Sequence, residues 1–185
     1  PAAIGACVGS KNKTYAVESD GSLQLNIQEL ATITANKLPI IIFVLNNGGY
    51  CSIRNTQTNY FKGRYVGTNL ESGLFMPSLK SLADAYDISY SNARDITEIK
   101  AIVESFQTTN IAKIVEVNLV ENDILFPKVS AIPQNDGSII SMPLEDMSPL
   151  LSLKDLETEM IVKLSERSKA VRKLKNWPTR KYIMK

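Results

Sequence analysis

The sequence predicts an α/β fold in which a doubly wound, mostly parallel sheet carries helices on both faces. Short β-branched-rich runs alternate with stretches of helical periodicity over residues 1–120, which is the pattern of strand–helix–strand units with right-handed crossovers. Residues 40–45 form a continuous apolar run, which is typical of strands buried on both faces of a parallel sheet. With 185 residues, 44% of them hydrophobic, the chain can bury a sizeable core.

The first elements follow from local pattern. Small apolar residues favour a helix over 1–8 that stops at Gly9. A short apolar run predicts a buried strand over 14–17, ending in a turn. Helical periodicity resumes after this turn, with Asn26 and Glu29 placed to form a capping box. The strand at 40–45 comes next and ends in a second turn rich in Asn and Gly.

Beyond the second turn the periodicity is lost and later resumes. Residues 50–76 are polar and lack clear periodicity, which indicates a long loop that is either functional or flexible. The remaining elements predicted for this part of the chain are a helix around 79–86, a strand over 88–91, a helix over 96–106 and a strand over 111–120. After Glu121 the chain turns polar and proline-punctuated. We therefore predict a domain over 1–121 and a C-terminal extension over 122–185 that ends in a helix over about 152–174.

The extension carries most of the chain's basic character. Residues 163–185 contain nine Lys or Arg and one acid, although the whole chain has a net charge of only +2. A nucleic-acid or membrane partner would use such a tail, but Trp177 and Tyr182 are not spaced as a base-stacking platform and the rest of the chain is acidic. We favour a helix that covers the protein's own subunit or a partner subunit, with no nucleic acid and no membrane involved.

Composition excludes several function classes. The chain contains no histidine, so neither a Ser-His-Asp triad nor a His-ligated zinc site can be built from it. Cys7 and Cys51 are too few for a disulfide framework, which fits a reducing compartment, and we predict a cytoplasmic protein. No apolar run approaches the roughly 20 residues of a membrane span, and no signal peptide is visible. Because the chain begins at Pro1, inside a predicted helix, we interpret it as a fragment of a longer protein.

A turn follows each of two predicted parallel strands: the first turn is Ser19-Asp20-Gly21-Ser22 and the second is Asn46-Asn47-Gly48-Gly49. Ligands of open α/β sheets bind outside the carboxyl ends of the strands. Asp20 in the first turn offers a carboxylate, Asn47 in the second an amide carbonyl, and the glycines expose backbone carbonyls. Such hard oxygen ligands suit Mg²⁺, which shares its shell with phosphate oxygens. On the residues alone, however, Asp-Gly and Asn-Gly pairs are more often simple turns.

The two turns also resemble a family signature. The segment from Asp20 to Asn47 is similar to the thiamin diphosphate signature of the acetolactate synthase and pyruvate decarboxylase superfamily, in which a Gly-Asp-Gly turn, a spacer and an Asn-Asn pair follow one another. The matching stretches of this sequence are Asp20-Gly21-Ser22, Asn26-Ile27-Gln28-Glu29-Leu30-Ala31-Thr32 and Leu45-Asn46-Asn47-Gly48-Gly49-Tyr50. Residues 1–6 also resemble the helix that precedes the signature, and the likeness extends over about 1–120. One departure is Ser19, where the family has glycine; serine would be strained there if the backbone needs a positive φ.

The resemblance implies a role for each residue of the two turns. It implies that Mg²⁺ is held by Asp20, the Asn47 side chain and the Gly49 carbonyl, together with two diphosphate oxygens and one water. Gly21 and Ser22 are implied to hold the diphosphate. The segment implied to run beside the thiazolium ring and the substrate, on a loop that orders when the cofactor binds, consists of Tyr50, Cys51, Ser52 and Ile53.

The resemblance further implies the chemistry and the partners. Enzymes of this type decarboxylate a 2-oxo acid and join the acyl unit to a second carbonyl, and their activating glutamate comes from a pyrimidine-binding domain, normally on a partner subunit. Neither Glu18 nor Glu29 suits that role, so the resemblance implies no catalytic side chain in this chain, which we expect to be inactive alone. It implies a homodimer or homotetramer. Whether FAD occupies a further domain stays open.

Several alternatives remain at this stage. The enzyme could be a simple 2-oxo acid decarboxylase, or the chain could be a non-catalytic or regulatory module that keeps the fold. A reactive role for Cys51 is disfavoured because no cationic neighbour in sequence would activate it. The basic residues around 50–64 could meet an anionic substrate or could simply be solvated; they are Arg54, Lys62 and Arg64. An activated sugar as acceptor is a further, weaker hypothesis, and a nucleotide-binding Rossmann domain lacks its Gly-x-Gly-x-x-Gly motif here.

Overall fold

We describe the protein from a computed structural model. The structure describes residues 1–121, 126–129, 131–133 and 136–173, of which Ile132 and Pro133 are described by their backbone alone. The chain divides into two compact units, Pro1–Asp123 and Ile124–Lys185. The first unit contains a four-stranded sheet in which all neighbouring strands are parallel, in the order β1-β2-β4-β3. The strands are β1 (Thr14–Ser19), β2 (Ile40–Asn46), β3 (Ser89–Ala93) and β4 (Lys113–Asn118).

Helices pack on both faces of this sheet, and the predicted doubly wound α/β class is confirmed. One face is covered by α1 (Ala2–Ser10), α3 (Glu29–Ala35) and α5 (Leu79–Ala85), which pack against Ile40, Ile42 and Val44 of β2. The other face is covered by α6 (Ile96–Thr108), where Phe106 packs against Ile41 and Phe43. Because β2 is central and alternate side chains point to opposite faces, both sets of side chains are covered, which explains why β2 is apolar from Ile40 to Leu45.

The edge strand β1 differs from its prediction. The strand extends to Ser19 and is not buried, because Tyr15 and Val17 are 46% and 69% exposed. These two side chains lie on the face covered by α6, which shields the inner strands more fully than the edge. Tyr15 contacts the covering helix through a T-shaped arrangement of its ring with that of Phe106. A short apolar run therefore signalled a strand correctly but could not reveal its position in the sheet.

The segment between β1 and β2 is broken into short pieces. It consists of one helical turn, α2 (Asp20–Leu23), a 3₁₀ turn (Gln24–Asn26) and α3. The predicted capping box is wrong, because Asn26 lies inside the 3₁₀ turn and the N-cap of α3 is Gln28, which makes no side-chain capping bond. Glu29 instead accepts a hydrogen bond from the Thr32 hydroxyl. The predicted helix stop at Gly9 is also displaced, since α1 continues to Ser10 and is capped by Lys11 in the left-handed region.

The predicted long loop contains a helix. Within 50–76 the structure forms α4 (Cys51–Tyr60) and a 3₁₀ turn (Leu70–Ser72). The helix escaped the sequence analysis because its residues are mostly polar and most of its surface is exposed, so no apolar periodicity marks it.

The second unit is described by itself. It contains an antiparallel pair, β5 (Ala131–Pro133) and β6 (Ile139–Ser141), and two short helices, α7 (Leu153–Glu159) and α8 (Glu166–Val171). The single helix predicted over about 152–174 is therefore wrong, since the chain leaves the helical conformation between α7 and α8. Trp177, Tyr182 and the end of the basic run lie outside the described residues. Among the helices of the described residues, no segment is both long and apolar enough to cross a membrane.

Candidate functional site

The two turns meet at the carboxyl ends of adjacent strands. In the parallel register Ser19 lies opposite Leu45, so the turn after β1 and the turn after β2 emerge side by side. A hydrogen bond joins them directly: the Gly49 amide donates to Asp20 Oδ2 at 2.7 Å. The juxtaposition expected for a ligand site at the edge of a parallel sheet is therefore present in this fold.

Asp20 is a buried carboxylate, only 2% exposed. Its Oδ1 accepts a hydrogen bond from the Gly21 amide at 2.8 Å, and its Oδ2 accepts the bond from Gly49. Each carboxylate oxygen can accept more than one bond, so the two amides orient the group without using all of its lone pairs. Among the described residues Asp20 has no ion pair. A bound cation would compensate the Asp20 carboxylate, since a buried charge is stable only when a partner compensates it.

Asn47 supplies a buried acceptor. Its Oδ1 is inaccessible to solvent and accepts no hydrogen bond from any residue that the structure describes. A buried carbonyl left in this way costs about 1–3 kcal/mol. A second such atom among the described residues is Gln24 Nε2, which is a donor and so cannot ligate a metal. The Asn47 oxygen and the Asp20 carboxylate are hard donors, so these residues fit Mg²⁺.

The glycines of both turns lie where a side chain would clash. Gly49 has φ of +118°, and a Cβ there would come within 2.7 Å of Leu74 Cδ2 and 2.8 Å of the Thr68 carbonyl oxygen. A Cβ on Gly21 would come within 2.6 Å of the Tyr50 ring. The structure therefore brings Tyr50 onto Gly21, at the turn that carries Asp20. The Gly49 carbonyl accepts a hydrogen bond from the Cys51 amide at 3.1 Å.

The strain anticipated for serine at position 19 is absent. Ser19 has φ of −94° and ψ of 158°, an extended conformation open to any residue. Its hydroxyl donates to the Ser22 hydroxyl at 2.9 Å, which places both serines at the start of α2. Ser22 is exposed there.

The residues after Tyr50 begin a helix. Cys51, Ser52 and Ile53 form the first turn of α4, with Ser52 and Ile53 exposed and Cys51 half-buried. Asn55 donates a hydrogen bond to the Cys51 sulfur at 3.8 Å. These three residues are thus on a defined helix that begins directly at the second turn, where the resemblance implied a loop.

Arg54 has neither of the two surroundings predicted for it, a substrate or solvent. It is 4% exposed and donates to four backbone carbonyls, those of Asn47, Gly48, Thr68 and Glu121, so its guanidinium does not face solvent to meet a substrate. Lys62 and Arg64, by contrast, are exposed. No pattern in the sequence distinguishes Arg54 from these two. Arg54 is the fourth residue of a helix that starts at a glycine turn, and only the fold shows that this position is buried.

A polar network supports the second turn from the neighbouring strand. Asn46 donates to Glu116 Oε1 at 2.6 Å, and the Tyr90 hydroxyl donates to Glu116 Oε2. Burial, followed by this bond to Glu116, raises the pKa of Tyr90 above its ordinary value. Asn46 Oδ1 in turn accepts from the Gly48 amide at 3.1 Å. Glu116 therefore orients the first Asn of the pair, and the first Asn holds the turn.

Across the described residues, no group of three or more His, Cys, Asp or Glu side chains gathers in a way that could hold a metal ion. The site at the two turns has one carboxylate, one side-chain amide and backbone carbonyls. Such a donor set leaves room in an octahedral shell for phosphate oxygens. Fold and site thus define an α/β domain with a candidate ligand site at the carboxyl edge of a parallel sheet.

Comparison with known proteins identifies the family. The model of the thiamine pyrophosphate enzyme C-terminal TPP binding domain matches residues 1–117, and the chain belongs to this family. It is 31% identical over 139 residues to an acetolactate synthase of Arthrospira platensis, and 31% identical over 138 residues to an acetolactate synthase large subunit of Corynebacterium glutamicum. These alignments cover 75% and 73% of this chain but only 23% and 22% of the relatives. The chain therefore spans less than a quarter of the length of these two relatives.

Solved structures agree on the fold. The benzoylformate decarboxylase of Polynucleobacter necessarius matches with a TM-score of 0.55 at 18% identity, covering 64% of this chain and 22% of that one. The thiamine diphosphate-dependent 4-hydroxybenzoylformate decarboxylase of Rhodococcus jostii RHA1 matches with a TM-score of 0.55 at 25% identity, covering 65% and 23%. Together with the family model over residues 1–117, which shows the family, these findings confirm the predicted resemblance.

Proposed function

We propose that this chain is the cofactor-binding part of an acetolactate synthase-like enzyme that decarboxylates a 2-oxo acid and joins the acyl unit to a second carbonyl. The observation that carries the proposal is the pairing of a buried, uncompensated Asp20 carboxylate with an Asn47 oxygen that lacks a hydrogen-bond partner in the described structure. Two hard oxygens in that state are suited to Mg²⁺ and, through Mg²⁺, to thiamin diphosphate.

Each residue of the two turns has a part in this proposal. Asp20, Asn47 Oδ1 and the Gly49 carbonyl would hold Mg²⁺, while Gly21 and Ser22 would contact the diphosphate. Tyr50 lies against Gly21, and the first turn of α4 continues from it, so the segment 50–53 would line the reacting end of the site. When bound, thiamin diphosphate supplies the carbon nucleophile that attacks the 2-oxo acid. The side chains of this chain bind and orient that group.

The proposal leaves the activating acid to another domain. Glu18 accepts a hydrogen bond from the Ser19 amide and Glu29 one from the Thr32 hydroxyl, so both carboxylates have local structural uses. We propose that the glutamate comes from a pyrimidine-binding domain, on a partner subunit of a homodimer or homotetramer, and that the chain is inactive alone. The cytoplasmic location remains a prediction.

The test is cofactor binding by the chain itself. We expect calorimetric binding of thiamin diphosphate that requires added Mg²⁺ and is abolished by Asp20→Ala, because the only carboxylate among the proposed ligands is then lost. The matched control is Asp84→Ala, which removes an exposed carboxylate whose ion pair with Lys80 contributes little. Binding by wild type in the presence of a chelator, or by Asp20→Ala with wild-type affinity, would contradict the proposal.

A second candidate is a simple 2-oxo acid decarboxylase. It is supported by the two solved relatives above, whose names are those of decarboxylases. The assembled enzyme given a labelled 2-oxo acid distinguishes the two, since a ligase forms a new carbon–carbon bond and a decarboxylase releases an aldehyde. A third candidate, a non-catalytic or regulatory module that keeps the fold, would form neither product from the labelled 2-oxo acid.

A further inference from the structure

Arg54 is a buried cation without a carboxylate partner among the described residues. Its side chain makes no ion pair there, and its four hydrogen bonds all end on backbone carbonyl oxygens. Removing a guanidinium from water is costly unless its N–H donors are satisfied, so a buried arginine is expected to stabilise the structure around it. The four carbonyls that it binds indicate which part of the structure it stabilises.

The guanidinium clamps three separate segments together. Nη2 donates to the backbone carbonyl oxygen of Asn47 at 2.8 Å and to that of Glu121 at 2.6 Å. Nη1 donates to the backbone carbonyl oxygen of Thr68 at 2.9 Å and to that of Gly48 at 3.3 Å. Two of the four carbonyls belong to the turn after β2, and the other two belong to segments that close over it. The planar guanidinium can reach all four carbonyls at once because Nη1 and Nη2 each carry two N–H donors.

One peptide unit links Arg54 directly to the proposed metal site. The peptide between Gly48 and Gly49 accepts from Arg54 Nη1 through its carbonyl, and its N–H donates to Asp20 Oδ2. A cation at the oxygen end and an anion at the N–H end of the same peptide polarise it and strengthen both bonds. The next peptide toward the N-terminus, between Asn47 and Gly48, is held by Arg54 Nη2.

The packing around the turn shows why it needs this support. Gly49 has a positive φ and is enclosed by Leu74 and the Thr68 carbonyl. The Thr68 oxygen accepts from both the Tyr50 amide, at 3.2 Å, and Arg54. Without the guanidinium, the carbonyls of Asn47 and Gly48 would lose their donors, and the turn could rotate its peptides away from Asp20.

From this geometry we infer that Arg54 is the positioning residue that fixes the turn Asn47–Gly49 against Asp20 and so sets the metal affinity of the site. It touches neither metal nor cofactor. The metal part of this inference rests on the proposed function; the part concerning the turn does not.

The first measurement addresses the turn alone. In the ligand-free chain, NMR amide exchange of Gly49 should be slow in the wild type, because its N–H is bonded to a buried carboxylate. In Arg54→Gln it should become faster by about tenfold or more, as the local opening becomes easier. Arg94→Gln is the matched control, because Arg94 is an exposed arginine paired with Glu98, and it should leave Gly49 exchange unchanged.

The second measurement addresses the metal. Binding of Mn²⁺ in place of Mg²⁺, followed by electron paramagnetic resonance at saturating thiamin diphosphate, should be about 10- to 100-fold weaker in Arg54→Gln, the range seen when groups that orient metal ligands are removed. The number of sites per folded chain should stay at the wild-type value, whereas misfolding would lower it. Arg54→Lys should recover only part of the affinity, because a single ammonium cannot reach both pairs of carbonyls.

The outcomes separate the two proposals. Unchanged Gly49 exchange together with unchanged Mn²⁺ affinity in Arg54→Gln would overturn the inference while the proposed function stands. If wild type binds no Mn²⁺ with the cofactor, the proposed function fails, and the Gly49 exchange rates alone decide whether Arg54 positions the turn. If Arg54→Gln fails to fold, the exchange rates of Arg54→Lys decide it: wild-type exchange overturns the inference and faster exchange supports it.

Discussion

At the scale of single residues, the site contains groups that are poorly satisfied by the chain alone. Asp20 is buried without an ion pair in the described structure, and Asn47 Oδ1 is buried without a donor. Natural proteins tolerate such groups where they are used for binding, because the ligand supplies the interactions that these groups lack in the free protein.

Asn47 offers a direct test of this trade-off. In Asn47→Leu the unpartnered buried oxygen is replaced by a methyl group of similar shape, so the free energy of unfolding of the ligand-free chain should not fall and can rise by about 1 kcal/mol. Metal-dependent cofactor binding should be lost, because a hard ligand has gone. Urea unfolding and calorimetry measure the two effects, and a variant that both unfolds more easily and still binds would contradict the interpretation.

At the scale of elements, capping distinguishes helices whose ends were predictable from those whose ends were not. The N-cap of α6 is Asp95, whose Oδ1 accepts from the amides of Thr97 and Glu98 at 2.8 and 2.9 Å. By contrast, the N-cap of α4 is Tyr50, which makes no side-chain capping bond, and the helix starts directly after the glycine turn.

The cap of α6 gives a prediction independent of the site. Asp95→Ala should lower the free energy of unfolding of the first unit by about 1 kcal/mol, because two amides of the first turn lose their acceptor. Asp95→Asn should retain most of the stability, since its side-chain oxygen can accept the same bonds. Denaturant titration compares the three proteins, and cofactor binding should be equal in all of them at low denaturant.

At the scale of the whole molecule, one carboxylate of the second unit predicts how stability responds to acid. In the second unit, hydrogen bonds from Ser165 and Ser168 lower the pKa of Glu145 from 4.5 to about 2. The Ser168 hydroxyl, which is fully buried, lies 2.8 Å from Glu145 Oε1. The folded state therefore favours the ionised carboxylate.

The lowered pKa of Glu145 makes the stability of the folded state fall as the pH falls. Because the pKa of Glu145 is lower in the folded than in the unfolded state, its contribution to stability is fully present above about pH 4.5 and is lost as the pH falls towards about 2. Glu145→Gln should be less stable than wild type at pH 6, and the difference should shrink towards pH 2. Thermal unfolding of both proteins between pH 6 and pH 2 measures this, and a constant difference would contradict it.

Much of the fold could be predicted because it depends on local pattern. The continuous apolar run of β2, the helical periodicity of α5 and α6, and the alternation of elements were sufficient for the α/β class. The polar helix α4 and the exposure of β1 were missed, since a polar helix has no apolar stripe and an edge strand reads like an inner one.

For the site, the sequence by itself determined that Asp20 and Asn47 stand in turns directly after two apolar runs, and the likeness of these turns to a family signature predicted both residues as ligands. Only the tertiary structure decided which groups support them. The register of β1 on β2 brings the Gly49 amide to Asp20. Arg54 is buried between the second turn and the segments that contain Thr68 and Glu121. The physical reason is that sequence patterns record each residue's preference along its own element, whereas hydrogen bonds between residues far apart in the chain exist only once the elements have packed.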